Sequence, residues 1–232
     1  MLNDIKEYLE YQLDEGVRGL ELSAGPPGAV EKRGPGRAER LEAVARRAEK
    51  CSECGLRESR NRVVPGEGST DPDIMFVGEA PGAREDMAGR PFVGAAGKLL
   101  TKMIEAMGYT RQDVFIGNIL KCRPPGNRTP SQEEMEICRR FLREQIAVLR
   151  PRVIVTMGAT ALKGLLDVSG GITRLRGKWF LYEGIDVMPT YHPAYLLRNP
   201  AAKKDVWEDL KAVLKRLGRV PPPLKSRGKK DQ

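Results

Sequence analysis

Residues 74–94 read IMFVGEAPGAREDMAGRPFVG. The first four residues are an unbroken apolar run of the kind that forms a buried β-strand. Turn-forming Gly and Pro residues follow at once, together with three carboxylates, Glu79, Glu85 and Asp86, and one aromatic ring, Phe92. Open α/β sheets bind ligands in loops at the carboxyl ends of their strands. The stretch therefore predicts a strand that ends in a ligand site, although an ordinary tight loop would use the same Gly and Pro residues.

Strands and helices alternate along the rest of the chain. Further strands are predicted at 113–117, 152–156 and 185–189, helices at 38–50, 95–107, 131–148, 159–166 and 201–217, and a hairpin at 174–183 that turns at Gly177. Strands separated by helices indicate a parallel sheet with helices on both faces. The predicted fold is α/β, with three α/β/α layers around a central, mostly parallel four-stranded sheet.

The same pattern divides the 232 residues into three parts. Residues 1–37 combine an amphipathic helix with a flexible linker rich in Gly and Pro. Residues 38–218 form the predicted catalytic domain, which is long enough to bury a core without disulfides. Residues 219–232 are a basic tail that we expect to be disordered.

Charge and hydropathy narrow the class of protein. The formal net charge of +9 favours a polyanionic partner, most simply nucleic acid. No apolar run is long enough to span a bilayer, and the polar, acidic first residues are unlike a signal peptide. We therefore expect a cytoplasmic, nucleoid-associated protein without membrane contact, whose thiols stay reduced.

The four cysteines have the spacing of a metal site. Cys51 and Cys54 form a C-x-x-C pair, which can hold one metal between two thiolates, and Cys122 and Cys138 follow as a wider pair. Four thiolates bind either zinc or a 4Fe–4S cluster, and spacing does not choose between them. Two unrelated pairs of buried thiols are the alternative. We predict one shared site with a structural role.

Polar residues follow the other predicted strands. Asn118, Gly158 and His192 each lie just past a strand, and parallel strands bring such residues to one edge of the sheet. His192 is the only histidine, which excludes a His-rich metal hydrolase and argues against a Ser-His-Asp hydrolase.

The residues that follow His192 predict a contact with DNA. Leu196 and Leu197 could wedge into a base stack while Arg198 holds phosphate, although helix packing would explain the two leucines as well.

Taken together, several separated motifs resemble one known family, the family 4 (thermostable type) uracil-DNA glycosylases. The motifs are Gly78-Glu79-Ala80-Pro81-Gly82, Glu85-Asp86, Gly89-x-Pro91-Phe92-Val93-Gly94, Asn118, Lys121-Cys122-Arg123-Pro124-Pro125 and His192-Pro193-Ala194. The four cysteines match the 4Fe–4S ligands of that family in order and spacing, so the resemblance favours iron–sulfur over zinc. It covers about residues 45 to 217.

The resemblance implies an enzyme that flips uracil out of DNA, single- or double-stranded, and hydrolyses its N-glycosidic bond. Phe92 is suited to stack on the flipped ring. The Asn118 amide matches uracil O4 and N3–H and mismatches cytosine.

Other groups complete the predicted site. The backbone of Glu79, Ala80 and Gly82 can bind the uracil carbonyls, and His192 can stabilise negative charge at O2. More familiar uracil glycosylases carry an Asp where this chain has Ala80. We therefore predict that Glu79 activates water, with Glu85 and Asp86 as alternatives.

Two other functions remain compatible with the sequence. One is a non-catalytic, zinc-containing nucleic-acid-binding module. The other is a glycosylase with a broader preference for damaged bases. For the enzyme we expect a monomer whose partner is uracil-containing DNA.

Overall fold

The structure is a computed structural model that describes residues 36–166 and 168–223. The predicted helix at 1–22, most of the predicted linker and most of the basic tail lie outside these residues. None of the helices within these two ranges is long and apolar enough to cross a membrane.

One mixed sheet forms the centre of the fold. Its strands are β1 (Glu67–Gly68), β2 (Ile74–Gly78), β3 (Phe115–Asn118), β4 (Val153–Met157), β5 (Phe180–Tyr182) and β6 (Ile185–Thr190). Their order across the sheet is β1-β3-β2-β4-β6-β5. The middle four strands are parallel, with Phe76 of β2 level with Ile116 on one side and Val155 on the other.

The prediction of a mostly parallel sheet is confirmed, but the number of four strands is wrong. The four predicted strands form the parallel centre, and β1 and β5 add one short antiparallel strand at each edge. The predicted hairpin turn at Gly177 is also wrong. The turn lies at Glu183 and Gly184, which both have positive φ, as a two-residue hairpin loop requires.

Nine helices are described, together with two 3₁₀ turns. They are α1 (Arg37–Lys50), α2 (Leu56–Ser59), α3 (Ala83–Ala88), α4 (Ala95–Ala106), α5 (Gln132–Leu149), α6 (Ala159–Leu166), α7 (Ile172–Leu175), α8 (Pro193–Arg198) and α9 (Lys203–Arg216), with 3₁₀ turns at Pro125–Asn127 and Pro200–Ala202.

The helices cover both faces of the sheet. Alternate residues of β2 point to opposite faces, so Met75 and Val77 join a core with α1, α5 and α6, whereas Ile74 and Phe76 join a second core with α4, α8 and α9. Two cores separated by one sheet confirm the predicted three-layer α/β/α fold.

A capping box fixes the start of α5. The Ser131 hydroxyl accepts the Glu134 N–H at 3.1 Å, and the Glu134 carboxylate accepts the Ser131 N–H at 2.8 Å. The same carboxylate pairs with both terminal nitrogens of Arg128. The long helix that carries Cys138 therefore begins at a defined point, and the loop before it is tied to the helix.

Candidate active site and cysteine site

A pocket opens at the carboxyl ends of β2, β3 and β6. The sheet reverses its winding between β2 and β4, which is the kind of switch point where α/β folds bind ligands. The predicted site residues that line the pocket are Glu79, Ala80, Gly82, Glu85, Phe92, Asn118, His192 and Arg198. The structure therefore brings together eight residues from three separate stretches of the chain, namely the 78–94 loop, Asn118 and the segment 192–198.

Asn118 ends β3 at the floor of the pocket. Its side chain is 1% exposed, and its Oδ1 atom has no hydrogen-bond partner among the described residues. A Cβ at Gly78 would lie 2.4 Å from this Oδ1 atom and 2.6 Å from the Phe92 ring. Glycine at position 78 is therefore needed to let the amide and the aromatic ring meet.

Phe92 is held in a strained backbone conformation. Its φ is 52°, in the left-handed region that non-glycine residues rarely occupy. Arg111 donates to the carbonyl oxygens of Pro91 and Phe92 at 2.8 and 3.2 Å and pairs with Glu67 at 2.6 Å. A Cβ at Gly97 would lie 1.8 Å from the Phe92 carbonyl oxygen, so α4 approaches this turn only through glycine. These contacts fix the ring in the pocket wall.

His192 is held in one tautomer at the start of α8. Its Nδ1 atom accepts the Ala194 N–H at 3.1 Å, which leaves the proton of a neutral ring on Nε2. The pKa of His192 is lowered to about 4, mainly by burial and also by the positive charge of Arg198, while the negative charge of Glu85 opposes the shift. The ring lies 5.6 Å from the Phe92 ring, centroid to centroid. At neutral pH the pocket thus contains an uncharged N–H donor beside an aromatic wall.

The three acids of the 78–94 loop have different surroundings. Glu79 lines the pocket, and its carboxylate makes no hydrogen bond to the described part of the chain. Glu85 also lines the pocket, but its Oε1 atom accepts the N–H groups of Val93 and Gly94 at 2.9 and 2.8 Å. Of these three acids, Glu79 is therefore the one that lines the pocket with a carboxylate that has no hydrogen-bond partner in the described residues.

Asp86 lies away from the pocket. Its carboxylate is fully buried and accepts the N–H groups of Asn61 and Arg62 and the side-chain amide of Asn61. The structure does not bring this predicted catalytic candidate to the other site residues, because these donors hold it beneath the loop.

The predicted DNA wedge is divided between two environments. Leu196 is 1% exposed and packs in the core beneath α8, whereas Leu197 is 46% exposed. Arg198 is exposed and reaches the pocket rim. Leu196 is thus a packing residue, while Leu197 and Arg198 have the exposure that a contact with DNA requires.

The four cysteines line a second, internal cavity, with Leu56, Arg60 and Phe141 among its other walls. Cys122 and Cys138 are buried, and all four are free thiols. The pKa of Cys138 is raised to about 11, mainly by burial and to a smaller extent by the nearby Cys122 and Cys54, while Lys121 opposes the shift. One cavity therefore joins both cysteine pairs, as the shared site requires.

Nitrogen donors surround these sulfur atoms. Arg60 donates to Cys122 Sγ at 3.2 Å, the backbone N–H of Lys121 to Cys138 Sγ at 3.3 Å, and Arg140 to Cys51 Sγ at 3.6 Å. Such donors stabilise thiolates that ligate a metal. Within residues 36–166 and 168–223, however, no three His, Cys, Asp or Glu side chains are close enough to hold a single metal ion.

Comparison with known proteins identifies the family. Residues 65–211 match the uracil DNA glycosylase superfamily. A type-4 uracil-DNA glycosylase from Thermotoga maritima is 47% identical over 78% of this chain and 98% of its own length. Type-4 enzymes from Sulfurisphaera tokodaii and Saccharolobus solfataricus are 46% and 43% identical over 75% and 78% of this chain and 83% and 88% of their own lengths. The chain belongs to the type-4 uracil-DNA glycosylases.

In this member of the type-4 uracil-DNA glycosylases, the sequence did not predict one wall of the pocket. Pro124, Asn127 and Arg128 line this wall. The sequence signal for this wall is the turn-forming run Pro124-Pro125-Gly126-Asn127, which begins two residues after Cys122. The sequence gives no such signal for the contact by which Arg111 holds Phe92. Arg111 is 19 positions away in the chain, and it donates to the Phe92 carbonyl oxygen, a main-chain group that every residue has.

Proposed function

We propose that the chain removes uracil from DNA by hydrolysing the N-glycosidic bond, which leaves an abasic site for base excision repair. The observation that carries this proposal is the unpartnered Oδ1 atom of buried Asn118, which lies beside Phe92 in a pocket shared with His192. A buried acceptor without a partner is costly, and a ligand N–H offsets that cost. Family membership supports the same reaction.

Base recognition follows from the orientation of three groups. The target nucleotide is flipped out of the stack, and its ring lies against Phe92. Asn118 accepts from uracil N3–H and donates to O4, whereas cytosine would present an acceptor and a donor in the reverse order. The N–H groups of the Glu79–Gly82 loop complete the clamp on the uracil carbonyls.

Bond cleavage places negative charge on the departing base. The neutral Nε2–H group of His192 donates to O2, where that charge develops, and acts as a preorganised donor without changing its own protonation. The carboxylate of Glu79 orients the attacking water and stabilises the positive charge on the sugar. Glu85 serves as the alternative, because it also lines the pocket.

Residues on the pocket rim would contact the rest of the DNA. Leu197 can fill the space of the flipped base, and Arg198 can bind a flanking phosphate. We propose that the enzyme acts as a monomer on both single- and double-stranded DNA, since one chain supplies every group named here.

The decisive test uses an oligonucleotide with one uracil, followed by alkali. Scission at the uracil supports the proposed function, and the same oligonucleotide with cytosine or thymine at that position should stay intact. Single- and double-stranded versions test the range of substrate. If the folded protein leaves uracil-containing DNA uncut, the proposal fails. Cleavage at hypoxanthine or damaged pyrimidines would instead indicate a broader specificity.

We also propose that Cys51, Cys54, Cys122 and Cys138 hold a structural 4Fe–4S cluster rather than zinc. One zinc ion needs four sulfurs about 2.3 Å from a common centre. The cysteines line one cavity without forming such a compact group, which suits a larger cluster. The cationic donors Arg60 and Arg140 suit its anionic thiolates.

Metal analysis and visible absorbance test this assignment. A brown protein with iron and sulfide supports a cluster, whereas a colourless protein with stoichiometric zinc contradicts it. Cys138→Ser should lose iron. Leu142→Ala, a buried change one turn further along α5, should lower stability while the iron remains. Unchanged iron in Cys138→Ser would show that Cys138 is not a ligand.

A further inference from the structure

Lys121 is a buried lysine between the pocket and the cysteine cavity. Its side chain is 1% exposed, and its ammonium group donates to the Asn118 carbonyl oxygen at 2.9 Å and to Gln145 Oε1 at 2.7 Å. Gln145 in turn donates to the Pro65 carbonyl oxygen at 2.7 Å. A buried ammonium costs stability unless it is well hydrogen-bonded, so this position has a demanding geometry.

The backbone of the same residue faces the cysteines. The Lys121 N–H donates to Cys138 Sγ at 3.3 Å, and its carbonyl oxygen accepts the Val64 N–H at 2.8 Å. Its neighbour in the chain, Cys122, lines the cysteine cavity. One residue therefore bonds to a cysteine sulfur through its main chain and to the residue that reads the base through its side chain.

The segment between these two sites has little freedom. Ile119 donates to the Gly78 carbonyl oxygen at 2.9 Å, and Leu120 donates to that of Glu79 at 3.0 Å. These bonds extend the β2–β3 pairing beyond Asn118 into the pocket loop. Asn118 and Cys122 are therefore the two ends of one short, hydrogen-bonded segment.

We propose that Lys121 is a positioning residue that couples the cysteine site to the base-reading amide of Asn118. The proposal rests on the proposed function of Asn118 and extends it. Hydrogen bonds to a base discriminate only when their donors and acceptors are held within about 0.5 Å of the required position. The ammonium fixes the main chain of Asn118, and the cysteine site fixes Lys121.

The first experiment is Lys121→Met, with the exposed Lys163→Met on α6 as its matched control. Lys121→Met should bind free uracil about tenfold more weakly by calorimetry, because a charge-assisted hydrogen bond to the Asn118 carbonyl is lost. Its iron content should match the wild type, since the N–H donor to Cys138 belongs to the main chain. Wild-type affinity for uracil in the folded variant would overturn the proposal.

A double-mutant cycle tests the coupling itself. Cys138→Ser should weaken binding of free uracil in the wild-type background but add little in the Lys121→Met background, because the connection is already broken. Fully additive losses would mean that the two sites act on uracil independently, which would overturn the coupling.

Gln145 provides a second route if Lys121→Met does not fold. Gln145→Met removes one acceptor of the ammonium and should weaken uracil binding about threefold. Gln145→Glu keeps that acceptor and loses only the donor to the Pro65 carbonyl oxygen, so it should weaken binding less. Equal affinities in both variants and the wild type would overturn the proposal.

A measurement made without uracil separates the positioning role of Lys121 from the proposed uracil-excision activity. The side-chain amide signals of Asn118 in NMR spectra should shift in Lys121→Met and stay in place in Lys163→Met. If these signals shift but the wild type releases no uracil from DNA, the proposed function fails and the positioning role stands. Unmoved Asn118 signals contradict the positioning role.

Discussion

The acidic loop at 78–94 and the ends of strands β3 and β6 both contribute to the pocket. Their polar side chains differ in the number of hydrogen bonds that they make within the protein. In the loop, Asp86 accepts three N–H donors and Glu85 accepts two. At the strand ends, Asn118 Oδ1 has no partner in the described part of the chain, and His192 uses only Nδ1 within it.

This difference separates residues that shape the site from residues that meet the ligand. A carboxylate whose lone pairs accept backbone N–H groups stabilises the loop and has little capacity left for a substrate. A buried polar atom without a partner lowers stability by about 1–3 kcal/mol, which binding of a complementary group can offset. Of the loop acids, only Glu79 resembles the strand ends in this respect.

The largest effect is expected from Asn118→Asp. A carboxylate cannot donate to uracil O4 and repels it, so kcat/KM for uracil should fall about 10⁴-fold, as in sites whose buried polar groups are left unpaired. Asn127→Asp makes the same chemical change on the exposed pocket rim and should cost less than tenfold. Near wild-type excision by Asn118→Asp would show that Asn118 does not read the base.

His192→Asn should lower kcat by about 10²- to 10³-fold, as expected for the loss of one preorganised donor to a developing anion. Asparagine is a good N-cap residue, so α8 should keep its start while the Nε2–H donor is removed. Single-turnover rates check the loss, and circular dichroism checks the fold. A variant that retains the wild-type rate would exclude His192 from the reaction.

The acidity of His192 gives an independent test. Because burial lowers its pKa to about 4, the ring should stay neutral from pH 5 to 8, and the rate ratio of wild type to His192→Asn should be constant there. In the unfolded chain the His192 ring is protonated near pH 6.5, whereas in the folded protein it is protonated only near pH 4. The contribution of His192 to the free energy of unfolding is therefore full above pH 6.5 and is lost as the pH falls from 6.5 to 4. The signal of this sole histidine should titrate near pH 4, and a midpoint near 6.5 would contradict the buried neutral state.

Glu79→Gln should lower kcat about 10²-fold, because the amide cannot orient water or offset the sugar charge as a carboxylate does. KM should change little, since the flipped base is bound by other groups. If Glu85→Gln shows the larger loss in kcat, the water-orienting role belongs to Glu85, and the rule that an unpartnered carboxylate marks the catalytic acid is wrong for this loop.

The sequence predicted the pocket because strand ends are easy to place. The central strands are short and mostly apolar, and a polar or glycine residue stands at the end of each or within two residues after it. Parallel pairing brings these residues to one edge of the sheet. Asn118 and His192 are 74 residues apart in the chain, but this rule alone put them in the same crevice.

Side-chain direction was harder to predict than position. Glu85 and Asp86 are neighbours in α3, and a helix turns adjacent side chains about 100° apart, so one faces the pocket and the other the core. The same geometry separates Leu196 from Leu197 in α8. The positive φ of Phe92 depends on Arg111, which is distant in sequence, so no local pattern could reveal it.

Asp86→Asn should have the smallest effect on catalysis and a clear effect on stability. The amide places its own N–H₂ group against the donors of Asn61 and Arg62, which should lower the free energy of unfolding by about 1–3 kcal/mol. Asp113→Asn, at an exposed turn, should lower it less. Because Asp86 lies outside the pocket, kcat should stay within about threefold of the wild type, whereas a large loss of kcat at unchanged stability would place Asp86 in the reaction after all. Urea denaturation and single-turnover rates on the same preparations therefore decide whether bonded carboxylates in this loop are structural.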